Sequence, residues 1–214
     1  MTNLKNISAS VQDGNTRQTE MLVARALAAN CPPTEILRDG LVAGMLEIEK
    51  RFNKNEIFDL EVIIAERAMK AGLEVLMPSL QKSQSQFLGT VITGTLEGEL
   101  RETGKDIISC LMQSLGLKVI DLGTSISNAR FIEAAIEEKA QIIACNTSLT
   151  IFLPQMKSLV QAAGQAEIRG RTKILLSGRP VTEWFCKSIE ADMYAPNPVQ
   201  AAEIAAAYCK KVKG

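Results

Sequence analysis

The sequence has 214 residues, balanced charge with 24 Lys and Arg against 24 Asp and Glu, and no histidine. Without a basic run or a basic face interleaved with aromatic residues, binding to nucleic acid is not expected. The absence of histidine excludes the commonest general base, the commonest zinc ligand, and Ser-His or Cys-His catalytic pairs.

Cysteine usage and hydropathy predict a cytoplasmic protein. The five cysteines are widely spaced and form no CxxC pair, which is typical of buried thiols in a reducing compartment. No run of eighteen apolar residues occurs, and the N-terminus lacks the apolar core of a signal peptide. We therefore expect no contact with a membrane.

The N-terminal part of the chain has apolar residues at helical spacing and no strand signal. The pattern predicts a short helix near residues 7–11 and longer helices over residues 22–29, 36–52 and 60–80. The polar stretch QKSQSQ, residues 81–86, has the composition of a linker. We predict a helical domain over residues 1–84 and a second domain over residues 85–214.

The second part alternates short β-rich runs with helical patterns. Helices are predicted from Gly104, Asn128, Pro154, Val181 and Pro198. The strand candidates are FLGTVIT, LKVIDLG, AQIIACN, TKILLSG and ADMYA. Five successive βα units predict an α/β domain with a parallel, doubly wound sheet.

In such a sheet, ligands bind at the carboxyl ends of the strands, near the point where the strand order reverses. Four loops qualify, and they span residues 93–103, 123–127, 146–154 and 177–181. The first loop contains neither a GxGxxG fingerprint nor a P-loop. Its glycines alone leave two interpretations open, a ligand-binding loop or plain turns with close helix packing.

The order of these segments resembles the cobalamin-binding subunits of corrinoid methyltransferase systems, including the corrinoid proteins of methylamine and methanol methyltransferases. The matching module of methionine synthase is similar too. The resemblance rests on EILRDGLVAGMLEIEKRFNKNEIFDLEVIIAERAMKAGLEVLMPSL in the first part and on GTLEGELRETGKDIISCLMQSLGLKVIDLGTSIS, PVTEWF and ADMYAPNP in the second. It implies a four-helix cap, a flavodoxin-like domain with five parallel strands, and a cobalamin cofactor.

The family's first loop carries Asp-x-His-x-x-Gly, in which the histidine is the lower cobalt ligand and the aspartate bonds to its other nitrogen. The matching positions here are Glu99, Arg101 and Gly104. A protonated guanidinium has no available lone pair, so Arg101 cannot ligate cobalt. The resemblance therefore implies a variant that binds its cofactor base-off, without a histidine ligand.

The resemblance also implies the remaining cofactor-binding residues. The family's Ser-x-Leu after the third strand appears as Asn146-Thr147-Ser148, and its Gly-Gly after the fourth strand appears as Ser177-Gly178. The other expected contacts are Thr95, Leu100, Glu102, Thr103, Thr150 and Tyr194. Two simpler interpretations stay open: Arg101 is a solvated loop arginine, and Ser127 only caps the helix that follows it.

By resemblance, the protein is a methyl carrier and not itself the catalyst. Its expected partners are a substrate-specific methyltransferase and a methyl-accepting or reductive-activation protein. Two alternatives differ in class. One is a module that stores, delivers or senses cobalamin without methyl transfer, and the other is a degenerate interaction domain without a cofactor.

Overall fold

The computed structural model describes residues 4–81 and 87–213. The chain divides into two compact units, Met1–Ser83 and Gln84–Gly214. Residues 82–86, which make up most of the predicted linker, lie outside the described residues. No helix among the described residues has the length and hydropathy to cross a membrane.

The first unit is helical, as the sequence predicts. Its elements are α1 (Leu4–Gln12), α2 (Thr16–Ala28), α3 (Pro33–Glu35), a π-helical segment (Ile36–Val42), α4 (Ala43–Asn53) and α5 (Asp59–Gln81). The side chain of Asn15 caps α2 by accepting a hydrogen bond from the Gln18 N–H at 3.1 Å. The predicted third helix is one helical run with a π turn inside it, a deviation that its apolar spacing does not reveal.

The apolar faces of these helices pack together. The largest fully buried side chains include Ile7 of α1, Leu41 of the π segment, and Met69 and Leu76 of α5. Gly72 of α5 lies so close to Leu41 that an added Cβ would stand 2.5 Å from one of its methyl carbons. Apolar burial at these helical spacings holds the unit together.

The second unit alternates strands and helices. Its elements are β1 (Thr90–Gly94), α6 (Thr103–Ser114), β2 (Lys118–Asp121), α7 (Asn128–Glu137), β3 (Ile142–Asn146), α8 (Leu153–Gln165), β4 (Lys173–Ser177), α9 (Glu183–Ser188), β5 (Met193–Ala195) and α10 (Pro198–Lys213). Short 3-10 helices at Thr150–Phe152 and Ile168–Gly170 flank α8. The predicted helix starts at Asn128 and Pro198 are confirmed, whereas α9 begins two residues after the predicted Val181.

The five strands form one parallel sheet in the order β2-β1-β3-β4-β5. This is the flavodoxin-like order, in which the direction of winding reverses between β1 and β3. The register sets Gly94 beside Cys145, and it sets Asn146 beside Ser177. The strands β1, β3 and β4 therefore end close to one level, and the loops that follow them start side by side.

Four of the five cysteines are buried, as predicted, but Cys31 is only half-buried. It follows the last turn of α2, where its backbone N–H donates to the carbonyl of Ala26 at 3.0 Å. The prediction of five buried thiols is therefore wrong at this position, because the residue lies in a connection and not on a packed helix face.

Candidate functional site

The loops after β1 and β2 remain joined beyond the ends of their strands. The Thr95 N–H donates to the carbonyl of Gly123 at 3.0 Å, and the Ile126 N–H donates to the carbonyl of Thr95 at 2.9 Å. The Ser125 N–H donates to the Thr95 hydroxyl at 2.9 Å, and that hydroxyl donates to the Glu99 carbonyl at 2.5 Å. Buried Thr95 thus orders both loops at the point where the strand order reverses.

Glu99 is buried, with 2% of its surface exposed. Its Oε1 accepts a hydrogen bond from the Thr147 hydroxyl at 2.9 Å, which links the loop after β1 to the loop after β3. Its Oε2 is buried and has no hydrogen-bond partner among the described residues. Burial raises the pKa of Glu99, and the Thr147 hydroxyl, the Ser148 backbone and the charge of Arg101 oppose that rise.

Arg101 is half-buried two residues further along the same loop. Its positive charge acts on the Glu99 carboxyl group. Leu100 between them is 75% exposed. Glu102 stands at the N-cap position of α6 without a side-chain capping bond, and Thr103 and Gly104 form the first turn.

Gly104 touches the end of β3. A Cβ at this position would lie 2.0 Å from Oδ1 of Asn146, so no larger residue fits without displacing that amide. The Nδ2 of the same amide donates to the Ser177 hydroxyl at 3.1 Å. Gly104, Asn146 and Ser177 therefore form a contiguous group across α6, β3 and β4, as expected for neighbours at one edge of the sheet.

Gly178 makes a second close approach. Its φ is +119°, and a Cβ here would lie 1.9 Å from the carbonyl oxygen of Thr147. The next residue, Arg179, donates to the carbonyl of Ser148 at 3.1 Å. The turn that contains Thr147 and Ser148 is thus held between Glu99 on one side and the loop after β4 on the other.

The structure does not bring every predicted residue into this group. Thr150 is exposed at the start of a 3-10 helix. Tyr194 lies on β5, separated from β3 by β4, and packs against the hydrophobic core. Ser127 caps α7 by accepting a hydrogen bond from the Arg130 N–H at 3.3 Å, so the predicted helix cap is present.

Three members of the network are absent from the predicted cofactor contacts, although Ser125 lies in the loop 123–127 that the sequence predicts at the ligand-binding edge. Thr147 bonds to Glu99, but the sequence motif predicts only the residues before and after it, Asn146 and Ser148, as cofactor contacts. Ser125 has a φ of +56° and accepts a hydrogen bond from the Gly98 N–H at 3.0 Å. Lys105 is a buried cation beside Gly104, and its position in a GKD sequence is the one local signal that could have pointed to it.

These features define a class of protein: a helical unit joined to a flavodoxin-like domain with a hydrogen-bonded group of polar side chains at the switch point of its sheet. Two family profiles, each described as "B12 binding domain", match residues 4–77 and 89–203. The chain belongs to this family of cobalamin-binding corrinoid proteins, and its cofactor is a corrinoid.

Individual relatives agree with this placement. The chain is 36% identical over 200 residues to trimethylamine corrinoid protein 1 of Methanosarcina mazei, covering 91% of this chain and 93% of the relative. It is 33% identical to the dimethylamine corrinoid protein of Methanosarcina barkeri, covering 86% and 87%. The solved monomethylamine corrinoid protein of Methanosarcina barkeri has a TM-score of 0.79 at 27% identity, covering 94% of this chain and 96% of that structure.

Proposed function

We propose that the protein is the methyl carrier of a corrinoid methyltransferase system and binds its cofactor without an imidazole on the lower cobalt face. The observation that carries the proposal is that the chain belongs to the corrinoid proteins, yet its 214 residues include no histidine. Its similarity to proteins named for trimethylamine and dimethylamine favours a methylated amine as the methyl source.

The residues at the switch point suit the nucleotide tail and the amide side chains of a corrinoid. The amide of Asn146 and the hydroxyl of Ser177 lie at the carboxyl ends of two adjacent strands. Such groups both donate and accept hydrogen bonds, as carboxamides, a ribose and a phosphate require. The buried Oε2 of Glu99, which lacks a partner among the described residues, adds an acceptor to the same region.

Arg101 is the residue that determines whether the protein provides a ligand to the lower face of the cobalt. By the family resemblance it takes the place of the ligand imidazole, and a guanidinium offers no lone pair. Glu99 accordingly bonds to Thr147 instead of orienting a ligand. In this proposal the chain binds and orients the corrinoid and provides no nitrogen to the cobalt.

The division of labour follows from this chemistry. The bound corrinoid supplies a cobalt centre that accepts and releases a methyl group, and the protein supplies binding and geometry. The partners are a methyltransferase that delivers the methyl group and a protein that accepts it or reactivates the cofactor. Substrate choice then belongs to the partner methyltransferase.

Reconstitution tests the proposal. Purified protein is mixed with methylcobalamin, desalted, and assayed for bound cobalt and for transfer of labelled methyl to and from a partner methyltransferase. We expect about one corrinoid per chain and exchange of the methyl group. Retention without exchange would instead support storage or delivery of cobalamin, and a colourless protein would contradict corrinoid binding altogether.

A further inference from the structure

A buried lysine follows Gly104 at the start of α6. The Lys105 side chain is 4% exposed, and its Nζ donates to Oδ1 of Asp106 at 2.6 Å and to Oδ2 of Asp121. A buried ammonium group is tolerated only when it is paired and hydrogen-bonded. Asp106 is the chain neighbour of Lys105. Of the two ion pairs, it is therefore the one with Asp121 that joins α6 to a distant element, the end of β2.

Asp121 passes this connection on to the loop after β2. Its second carboxylate oxygen, Oδ1, accepts a hydrogen bond from the Gly123 N–H at 2.9 Å. The carbonyl of Gly123 accepts from the Thr95 N–H at 3.0 Å. Three hydrogen bonds therefore lead from Lys105, at the end of the loop after β1, back to Thr95, at its beginning.

This chain of bonds closes the segment 95–105 into a ring. Glu99 and Arg101 both lie inside it. Its middle has further anchors of its own, which include the 2.9 Å bond from the Thr147 hydroxyl to Glu99 and the 3.0 Å bond from the Gly98 N–H to the Ser125 hydroxyl. A loop fixed at both ends loses less conformational entropy when a ligand binds, so its affinity is higher than that of a loop that must be ordered by the ligand.

We propose that Lys105 is a positioning residue for corrinoid binding, which pre-orders the segment 95–105 through its ion pair with Asp121. It does not touch the cofactor and acts through the loop that carries Glu99 and Arg101. The ligand assigned to this loop rests on the proposed function. The ordering of the loop itself does not, so it is testable in protein without cofactor.

The central variant is Lys105→Met, which keeps an apolar stem and removes the charge. Lys105→Arg restores a cation that can pair with Asp121. The matched control is Lys118→Met, which removes a lysine from β2 but breaks only an exposed ion pair with Glu138, 2.8 Å long. Amide hydrogen exchange of cofactor-free protein and the Kd for hydroxocobalamin are measured for all of them.

In Lys105→Met we expect faster amide exchange within residues 95–105, with the remaining sheet protected as in the wild type. We also expect a Kd raised by about tenfold, as for partners that orient a binding residue indirectly. Lys105→Arg should recover most of both effects, and Lys118→Met should show neither. If Lys105→Met does not fold, Asp121→Asn is used, because its amide oxygen can still accept from Gly123 while the charge is lost.

Unchanged exchange in segment 95–105 would overturn the inference whether or not the protein binds a corrinoid. A raised Kd with unchanged loop exchange would also overturn it, because Lys105 would then act by another route. A wild-type protein that binds no hydroxocobalamin would refute the proposed function, while the exchange data would still decide whether Lys105 orders the loop.

Discussion

The hydroxyl of Thr147 donates a 2.9 Å hydrogen bond to the carboxyl group of Glu99, although the two residues are 48 positions apart in the chain. This bond joins the loops that follow β1 and β3, the two strands on either side of the switch point. In the related sequence motif, the carboxylate at this position orients a ligand imidazole. Here the carboxyl group holds two loops together, and its other oxygen stays buried.

The raised pKa of Glu99 predicts a pH-dependent stability. Burial makes ionisation of this carboxyl group more costly in the folded protein than in the unfolded chain, where its pKa is about 4.3. The stability associated with the protonated form is fully present below that value and is lost as the pH rises through the higher pKa of the folded state. Glu99→Gln abolishes this titration and retains an acceptor for Thr147.

We therefore expect the free energy of unfolding of Glu99→Gln to improve relative to the wild type as the pH rises from about 4 to 7. Urea unfolding followed by far-ultraviolet circular dichroism measures it. A difference between the two proteins that stays constant over this range would show that Glu99 keeps an ordinary pKa.

Gly104→Ala is expected to destabilise the second unit by about 1–3 kcal/mol, because the added methyl group overpacks the contact with Asn146. Corrinoid affinity should fall as well, since the bond from Asn146 to Ser177 is disturbed. The control is Gly164→Ala in α8, where a Cβ meets no atom within 4 Å and a gain of about 0.5–1 kcal/mol is expected. Equal effects of the two substitutions on urea unfolding would contradict the close contact at Gly104.

Arg101→His returns an imidazole to the loop, and its neutral form has a lone pair for cobalt. We expect the absorption spectrum of bound cobalamin to change from that of the wild type and to revert only at a pH well below about 6.5, the pKa of a free imidazole, because coordination to cobalt competes with protonation. Arg101→Gln serves as the control, because it removes the charge and adds no imidazole. If Arg101→His gives the wild-type spectrum at every pH, residue 101 does not lie beneath the cobalt.

Cys31 should react faster with a thiol reagent than the other four cysteines, because it is half-buried and they are buried. Burial and Glu35 raise the pKa of Cys31, which slows its reaction but leaves it accessible. Burial raises the pKa of Cys110 to about 12 and of Cys186 and Cys209 to about 11. It also raises the pKa of Cys145. With a thiol reagent at about pH 8, we expect one fast-reacting group in the native protein and five after denaturation, since thiolates are the reactive species. Several fast groups in the native state would show that the core opens readily.

Local sequence patterns predict most of the fold. Apolar runs bounded by glycine and polar residues indicate all five strands, and Asn128 and Pro198 mark helix starts correctly. The π turn at Ile36–Val42 is not detectable in this way, because no residue type marks the point at which the helical run changes its hydrogen-bond pattern.

The site is only partly predictable, for a physical reason. Sequence motifs identify Glu99, Gly104, Asn146 and Ser177, which the fold does bring to one edge. The partner of a buried charge depends on side-chain geometry across strands, so no local pattern predicts that Thr147 bonds to Glu99 or that Lys105 pairs with Asp121. The motif alone suggests Tyr194 as a site residue, and the sheet order puts it two strands from β3.

The most direct test of corrinoid binding without a histidine ligand is the absorption spectrum of the protein after it is loaded with methylcobalamin or hydroxocobalamin and desalted. We predict that the colour stays with the protein and that the spectrum is base-off, because in the proposed function the switch-point residues hold the nucleotide tail away from the cobalt and the chain contains no histidine to take its place. A retained cofactor with a nitrogen-ligated spectrum would contradict the role assigned to Arg101. A colourless protein would contradict corrinoid binding itself.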